Sequence, residues 1–171
     1  TMFMHSTRFV RFLDSLKKIG AIQRIQTDFC FNGGPKFDKD NIRMNSSLEG
    51  GCPYDLTWYN ARFGLVVMNW QLPERIEATR LKSGATEESP EKVSTAFTSN
   101  AFYPDGMVHN EFSSFGANYT DDAKVIGETG TIRFDDKVLP HFGNRIGFDI
   151  ERNAPGVDGR HIERRVDRVN V

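Results

Sequence analysis

The sequence predicts an α+β domain built on a mostly antiparallel, open β-sheet with helices packed on one face. Three features predict it. A helical period near the N-terminus runs almost directly into a strand-like segment, a second helical segment opens after a glycine pair, and the stretch from Glu74 to Asp136 reads as short strands joined by tight turns. A chain of 171 residues suits one core, and a single domain over 1–171 is the expectation.

Taking the elements in order, Phe9, Phe12, Leu13, Leu16 and Ile19 recur at steps of three and four residues, the helical period. Ser6 or Thr7 can cap that helix, Lys17 and Lys18 complement the negative end of its dipole, and Gly20 can take the left-handed stop. Ala21 to Phe31 reads as a strand, and the turn-rich residues from Asn32 to Asn41 as a loop. After Gly50-Gly51, Pro53 suits a first helical turn, where its missing N–H costs nothing, and Asp55 suits the positive end; this helix is expected to reach about Trp70.

Beyond Glu74, the segments ERIEATRLK, VSTAFTSNAFY, MVHNEFSSFGANY, AKVIGE and TIRFDD read as strands, with Pro104-Asp105-Gly106 and Glu128-Thr129-Gly130 as turns. Lys82 to Lys92 is polar and reads as an exposed connection. Near the C-terminus, Ile162, Val166 and Val169 fit a short helix after a loop at APGVDG.

Composition excludes more than it selects. With 22 Lys and Arg against 23 Asp and Glu, the chain has no electrostatic reason to bind nucleic acid or an anionic membrane. No apolar run approaches the roughly 20 residues of a bilayer span, and the opening TMFMHSTRF lacks a signal-peptide core, so a cytoplasmic protein is expected. The start at Thr1 reads as a cut from something longer. Cys30 and Cys52 lack CxxC spacing and read as two reduced thiols; with His5, His109, His141 and His161 they form no metal-ligand pattern, so no metal is expected. FNGGPK and EGG match neither GxGxxG nor GxxxxGK(S/T), so no nucleotide cradle and no complete Rossmann domain is expected in this chain. A sheet covered on one face must cover its other face, and 14 phenylalanines supply apolar area; a homo-oligomer through the open sheet face is expected, with Phe97, Phe102, Phe112 and Phe115 as candidates for that face.

The segment GGCPYDLTWYNAR, Gly50 to Arg62, carries the most chemistry. At about 100° per residue, Asp55, Tyr59 and Arg62 fall in one stripe of a helix, with Leu56, Phe63, Val67 and Trp70 beside it. A carboxylate and a phenol one turn apart can share a proton network, and Arg62 can hold a polar or anionic substrate or neutralise Asp55. The structural alternative makes Asp55 a first-turn acid, Tyr59 a half-buried aromatic and Arg62 an ion-pair partner. Arg43, in the preceding loop, can reach the same cleft.

That segment resembles the GGxxxDxxx(H/Y) signature of the Gfo/Idh/MocA family, named for glucose-fructose oxidoreductase, inositol dehydrogenase and rhizopine catabolism, with Gly50, Gly51, Asp55 and Tyr59 at the matching positions. RFVRFLDSLKKIGAIQRIQTDF resembles the family's helix, GxIG-type turn and first strand of its C-terminal domain, and VIGETGTIRF resembles its late hairpin. The resemblance runs from about Arg8 to Phe134 and departs from the family at Thr57, where a glycine commonly follows, and in the absence of a recognisable C-terminal return helix.

The resemblance implies a dihydrodipicolinate reductase-like C-terminal domain, the substrate-binding and oligomerisation half of a parent that uses NAD or NADP to transfer hydride to or from a sugar, polyol or related hydroxy compound. It implies Tyr59 as acid/base, Asp55 as its partner, and Arg62 and Arg43 on the substrate side. A tyrosine phenol ordinarily holds its proton to about pH 10, so base chemistry needs a nearby cation; in the family a lysine of the nucleotide-binding domain commonly supplies it. This chain alone, without that domain, is expected to bind no cofactor and to be inactive. The alternative is a non-catalytic carbohydrate-binding or oligomerisation module that keeps the fold.

Overall fold

The computed structural model describes residues 2–34, 37, 41–139, 146–155 and 162–170. Two helices, α1 (Thr7–Leu16) and α2 (Trp58–Val67), accompany eight strands: β1 (Ile22–Asn32), β2 (Arg75–Gly84), β3 (Val93–Phe102), β4 (Val108–Ser114), β5 (Gly116–Gly127), β6 (Thr131–Phe134), β7 (Gly147–Pro155) and β8 (Ile162–Asn170). The strand order is β2-β3-β4-β1-β5-β6-β7-β8. The pairings β2–β3, β3–β4, β5–β6, β6–β7 and β7–β8 are all antiparallel. The chain forms two compact units, residues 1–26 with 121–171, and residues 27–120.

In the first unit, the Ser6 hydroxyl caps α1 by accepting from the Phe9 N–H at 3.3 Å. The helix buries Phe12 completely, edge-on to Phe134 and Phe148 at centroid distances of 5.0 and 6.1 Å; a buried Phe contributes about 1.5–3 kcal/mol. Arg8 is also buried, which a guanidinium tolerates only when paired. It lies 2.6 Å from Asp136 and donates to the carbonyls of Asp136 and Lys137. Gly20 takes φ +76 and ends the helical region as its sequence position predicts.

The two family-like motifs of this unit meet each other. Thr129 N–H donates to the Ile19 carbonyl and Glu128 N–H to that of Ala21. A side chain on Gly127 would sit 2.2 Å from the Ile19 oxygen, so only glycine lets the β5–β6 hairpin seat on the turn after α1. Beside it, Lys137 and Asp121 pair at 3.1 Å with neither side chain exposed, and Asp121 also accepts the Val138 and Leu139 N–H groups.

The expected C-terminal helix is corrected: Ile162–Asn170 is strand β8, registered on β7 from Pro155↔Ile162 to Gly147↔Asn170. The four- and three-residue steps of Ile162, Val166 and Val169 match a helix, but a strand partner satisfies the backbone and favours β-branched residues. Most of APGVDG, along with His141 and His161, lies outside the described residues. A smaller correction concerns MVHNEFSSFGANY, which breaks at Phe115 into β4 and the start of β5, while AKVIGE is the end of that same β5.

In the second unit, α2 covers the face of β3 and β4 that carries Ser99, Ala101, His109, Glu111 and Ser113, all buried. Asn60 of α2 donates to the Phe112 carbonyl at 3.2 Å and to the Ser113 hydroxyl at 3.3 Å. The helix ends at Val67, and Asn69 and Trp70 adopt left-handed φ of 49 and 66.

The opposite face of the second unit is mixed and not a continuous apolar surface. It presents Arg75, Thr98, Asn100 and Asn110 in the second unit, with Arg75 stacked 3.9 Å from the Phe102 centroid and Asn110 bonded to Asn100. In the first unit, the sheet face away from α1 carries Lys124, Arg133, Asp149 and Glu151, with Arg133 Nε 2.7 Å from Glu151 but its N–H not aimed at the oxygen. The apolar argument for this face is thereby corrected. Phe115 is buried against Phe31 and Phe37, Phe97 faces the α2 side opposite Ser113, and Phe102 and Phe112 alone of the four lie on the outer face, half-buried.

Candidate functional site

The site is assembled by the glycine pair. Gly50 N–H donates to the Asn45 carbonyl at 2.9 Å and Gly51 N–H to the Arg43 carbonyl at 2.8 Å, so the short 3-10 turns at Ile42–Met44 and Ser46–Leu48 are clamped onto the start of the helical segment. A Cβ on Gly50 would lie 2.6 Å from the Arg43 carbonyl oxygen and 2.7 Å from that of Asn45. Gly51, at φ +116, takes a backbone that other residues rarely adopt. The doublet is a packing requirement that delivers Arg43.

Pro53–Thr57 then forms a π turn before α2 begins at Trp58. Asp55 lies in this turn and not in the regular helix that carries Tyr59 and Arg62. Asp55 instead accepts from Arg43 Nε at 2.5 Å, both side chains being partly exposed. Arg43, Asp55, Gly51 and Tyr54 line one cavity of about 230 Å³, together with Ile42 and Leu48.

Tyr59 stands one helical turn further on, half-buried and edge-on to Phe29 at 5.4 Å. Its hydroxyl has no hydrogen-bond partner among the described residues and does not line the cavity of Asp55. Arg62 stacks 4.5 Å from the Trp70 centroid and 6.0 Å from that of Trp58. Of the four residues read from sequence, Arg43 and Asp55 are therefore in contact, Tyr59 is adjacent along the helix, and Arg62 is turned to the two tryptophans.

Beneath α2 lies a polar chain that the sequence reading missed. Thr27 Oγ1 and His109 Nε2 are 2.8 Å apart, His109 Nδ1 is 3.2 Å from Glu111, and Ser99 donates to Glu111 at 3.1 Å. A carboxylate only accepts, so Nδ1 carries the hydrogen and, in a neutral ring, Nε2 accepts from Thr27. The signal was present: His109, Glu111 and Ser113 alternate with Val108, Asn110 and Phe112 and so share one face of β4. Burial and the Glu111 charge raise the Tyr103 phenol above its usual 10. Tyr54, 69% exposed at the cavity rim, was also missed.

Cys52 is fully buried, and loss of solvent pushes its thiol from 9.0 to about 11. It stays protonated and is no nucleophile. Among the described residues no group of three His, Cys, Asp or Glu side chains could hold a metal, and no helix is long and apolar enough to cross a membrane. None of the described segments is a strand, glycine-rich turn and helix that could cradle a dinucleotide pyrophosphate.

The fold is that of known oxidoreductases. The 3-ketoreductase KijD10 from Actinomadura kijaniata, in complex with NADP and TDP-benzene, superposes with a TM-score of 0.70 at 19% identity over 96% of this chain and 47% of that one. Levoglucosan dehydrogenase, in complex with NADH and levoglucosan, gives 0.72 at 13% identity over 99% and 45%. An aldose-aldose oxidoreductase from Caulobacter crescentus, complexed with glycerol, gives 0.71 at 17% over 95% and 45%. The chain spans a little under half the length of these structures. A model of the GFO/IDH/MocA C-terminal domain matches residues 10–133, which contain most of α1, all of α2 and the glycine-clamped site, and this chain belongs to that family.

Proposed function

We propose that this chain is the substrate-side domain of a larger NAD- or NADP-dependent oxidoreductase that acts on a sugar, polyol or related hydroxy compound by hydride transfer. The observation that carries the reading is Tyr59: a phenol wedged on Phe29, with a hydroxyl that no described residue engages, one turn from a carboxylate held by Arg43. In the parent the dinucleotide, bound outside this chain, supplies the hydride chemistry. Here Tyr59 passes a proton to or from the substrate oxygen, Asp55 orients the substrate hydroxyls, and Arg43 fixes Asp55 while offering its remaining N–H groups. Arg62, braced by the indoles, offers a further cation on the substrate side. A homo-oligomer through the outer sheet face would form by polar contacts and not by burial of an apolar patch.

The placement of Tyr59 outside the Asp55 cavity favours a second reading, a non-catalytic carbohydrate-binding module. Calorimetry with nicotinamide cofactor separates them. The first reading expects the parent to bind cofactor, this chain not to bind it, and a Tyr59→Phe parent to bind but lose hydride transfer by about 10²–10⁴-fold. A parent that fails to bind cofactor establishes the second, and a Tyr59→Phe parent with full activity removes the role of Tyr59.

A further inference from the structure

We infer that a second cavity beside the candidate site is an anion subsite for a phosphoryl group carried by the substrate; the word substrate rests on the reading above. This cavity, about 410 Å³, is lined by Ser46, Tyr54, Arg80, Lys92, Ser94 and Phe97. It shares Glu49, Gly50 and Tyr54 with the cavity of Asp55, so one ligand can extend from one into the other.

Its lining is net positive. Arg80 and Lys92 are exposed, and neither forms an ion pair or side-chain hydrogen bond with a described residue. The cavity holds one carboxylate, Glu49, on the wall shared with the Asp55 side. Two unpartnered cations can donate to a neutral polyol but leave their charge unmatched, whereas a phosphoryl ester carries about −1.5 to −2 charges and three acceptor oxygens. Arginine supplies a forked donor and lysine a point charge, the pair that such a group needs.

The strand pairing places the arginine there. Register runs Arg80↔Phe97, then Lys82↔Ala96, then Ser83↔Ser94, so Leu81 is extra on β2 and Thr95 on β3. In a regular strand Arg80 and Lys82 share a face. The bulge separates them: Arg80 stays on the α2 side with Phe97, and Lys82 turns to another cavity, of about 560 Å³, with Ser114 and Thr95. Lys92 approaches from the start of β3, and Tyr54 offers an exposed ring at the junction of the two cavities.

The test is titration of this chain with inorganic phosphate and with pyrophosphate, followed by amide NMR shifts and calorimetry. Shifts should centre on Arg80, Lys92 and Tyr54, and Arg80→Gln or Lys92→Gln should each weaken binding about tenfold. Lys18→Gln, which removes the same charge from the end of α1, should leave it unchanged. A clear preference for pyrophosphate marks a diphosphate-linked substrate, and equal binding a simple phosphate ester; both support the subsite. Binding that is absent, insensitive to Arg80 and Lys92, or equally weakened by Lys18→Gln overturns it. The probes need no nicotinamide: if they bind while the Tyr59→Phe parent keeps its activity, the role of Tyr59 fails and the subsite stands. The reverse result removes the subsite alone.

Discussion

Replacing Gly64 by alanine sets two physical effects against each other with opposite signs. Helix propensity favours alanine over glycine in the interior of α2 by about 1 kcal/mol. The structure places an added Cβ 2.2 Å from His109 Nδ1 and 2.5 Å from Cε1. The imidazole cannot step aside cheaply, because Thr27 and Glu111 hold it on both sides and the residue is 1% exposed. Swinging the ring strands buried polar groups at about 1–3 kcal/mol each; lifting α2 instead incurs an overpacking cost of about 1–3 kcal/mol. The clash exceeds the propensity gain, and Gly64→Ala should destabilise by about 2–4 kcal/mol, lowering Tm by roughly 5–15 °C for a chain of this length. Thermal melts followed by far-UV circular dichroism or calorimetry read this directly. The Gly64→Ala penalty should shrink in a His109→Ala background, since the two residues share one contact. A Gly64→Ala protein as stable as the parent sequence, or more so, refutes the packing argument.

Other perturbations follow from the same reasoning. Gly50→Ala should cost about 1–3 kcal/mol and part Arg43 from Asp55, because the methyl meets the Arg43 and Asn45 carbonyls; urea melts and the Arg43 Nε–H NMR signal check it, and an unmoved signal contradicts it. Lys137→Met leaves Asp121 a buried carboxylate with two backbone donors, at a cost of about 3–5 kcal/mol. The Asp121→Asn/Lys137→Met pair should recover most of this, and a double variant as unstable as the single one is the contrary result. The Cys52 thiol titrates higher folded, at about 11, than its ordinary 9.0. The folded chain therefore keeps a proton that the unfolded chain releases, and this contribution is intact below pH 9 and lost as pH rises through about 11. Denaturation midpoints across that window should fall more steeply than in Cys52→Ala, and parallel profiles would show that the thiol is not responsible.

Local chemistry was the legible part of this fold. Ser6 acts on an N–H three residues on, and Gly20 and the Glu128-Thr129-Gly130 turn through their own backbone geometry, so their roles are visible in a short window of sequence. Ile162–Asn170 was misread because period alone cannot weigh a partner strand, and β7 supplies one. The site was legible in its residues and not in its pairing. Asp55 and Tyr59 stood out by type and spacing, but the π turn that carries Asp55 depends on a bonding pattern that no residue type announces. Arg43 reaches Asp55 from twelve positions upstream because two glycines let a loop close down on them, a tertiary cause. Arg80 and Lys92 were hidden for a similar reason: their convergence depends on a register shift between β2 and β3.

The Arg62 stack has a spectroscopic consequence. Trp58 and Trp70 are the two tryptophans of the sequence, and both flank this one guanidinium on the outer side of α2. Emission excited at the red edge of the indole band therefore originates from a single patch of the second unit, while residues 1–26 and 121–171 are dark. A ligand that draws Arg62 off the indoles changes the brightness without any label. A melt recorded by emission reports residues 27–120 alone, and its offset from a backbone-detected melt measures how tightly the two units are coupled in unfolding.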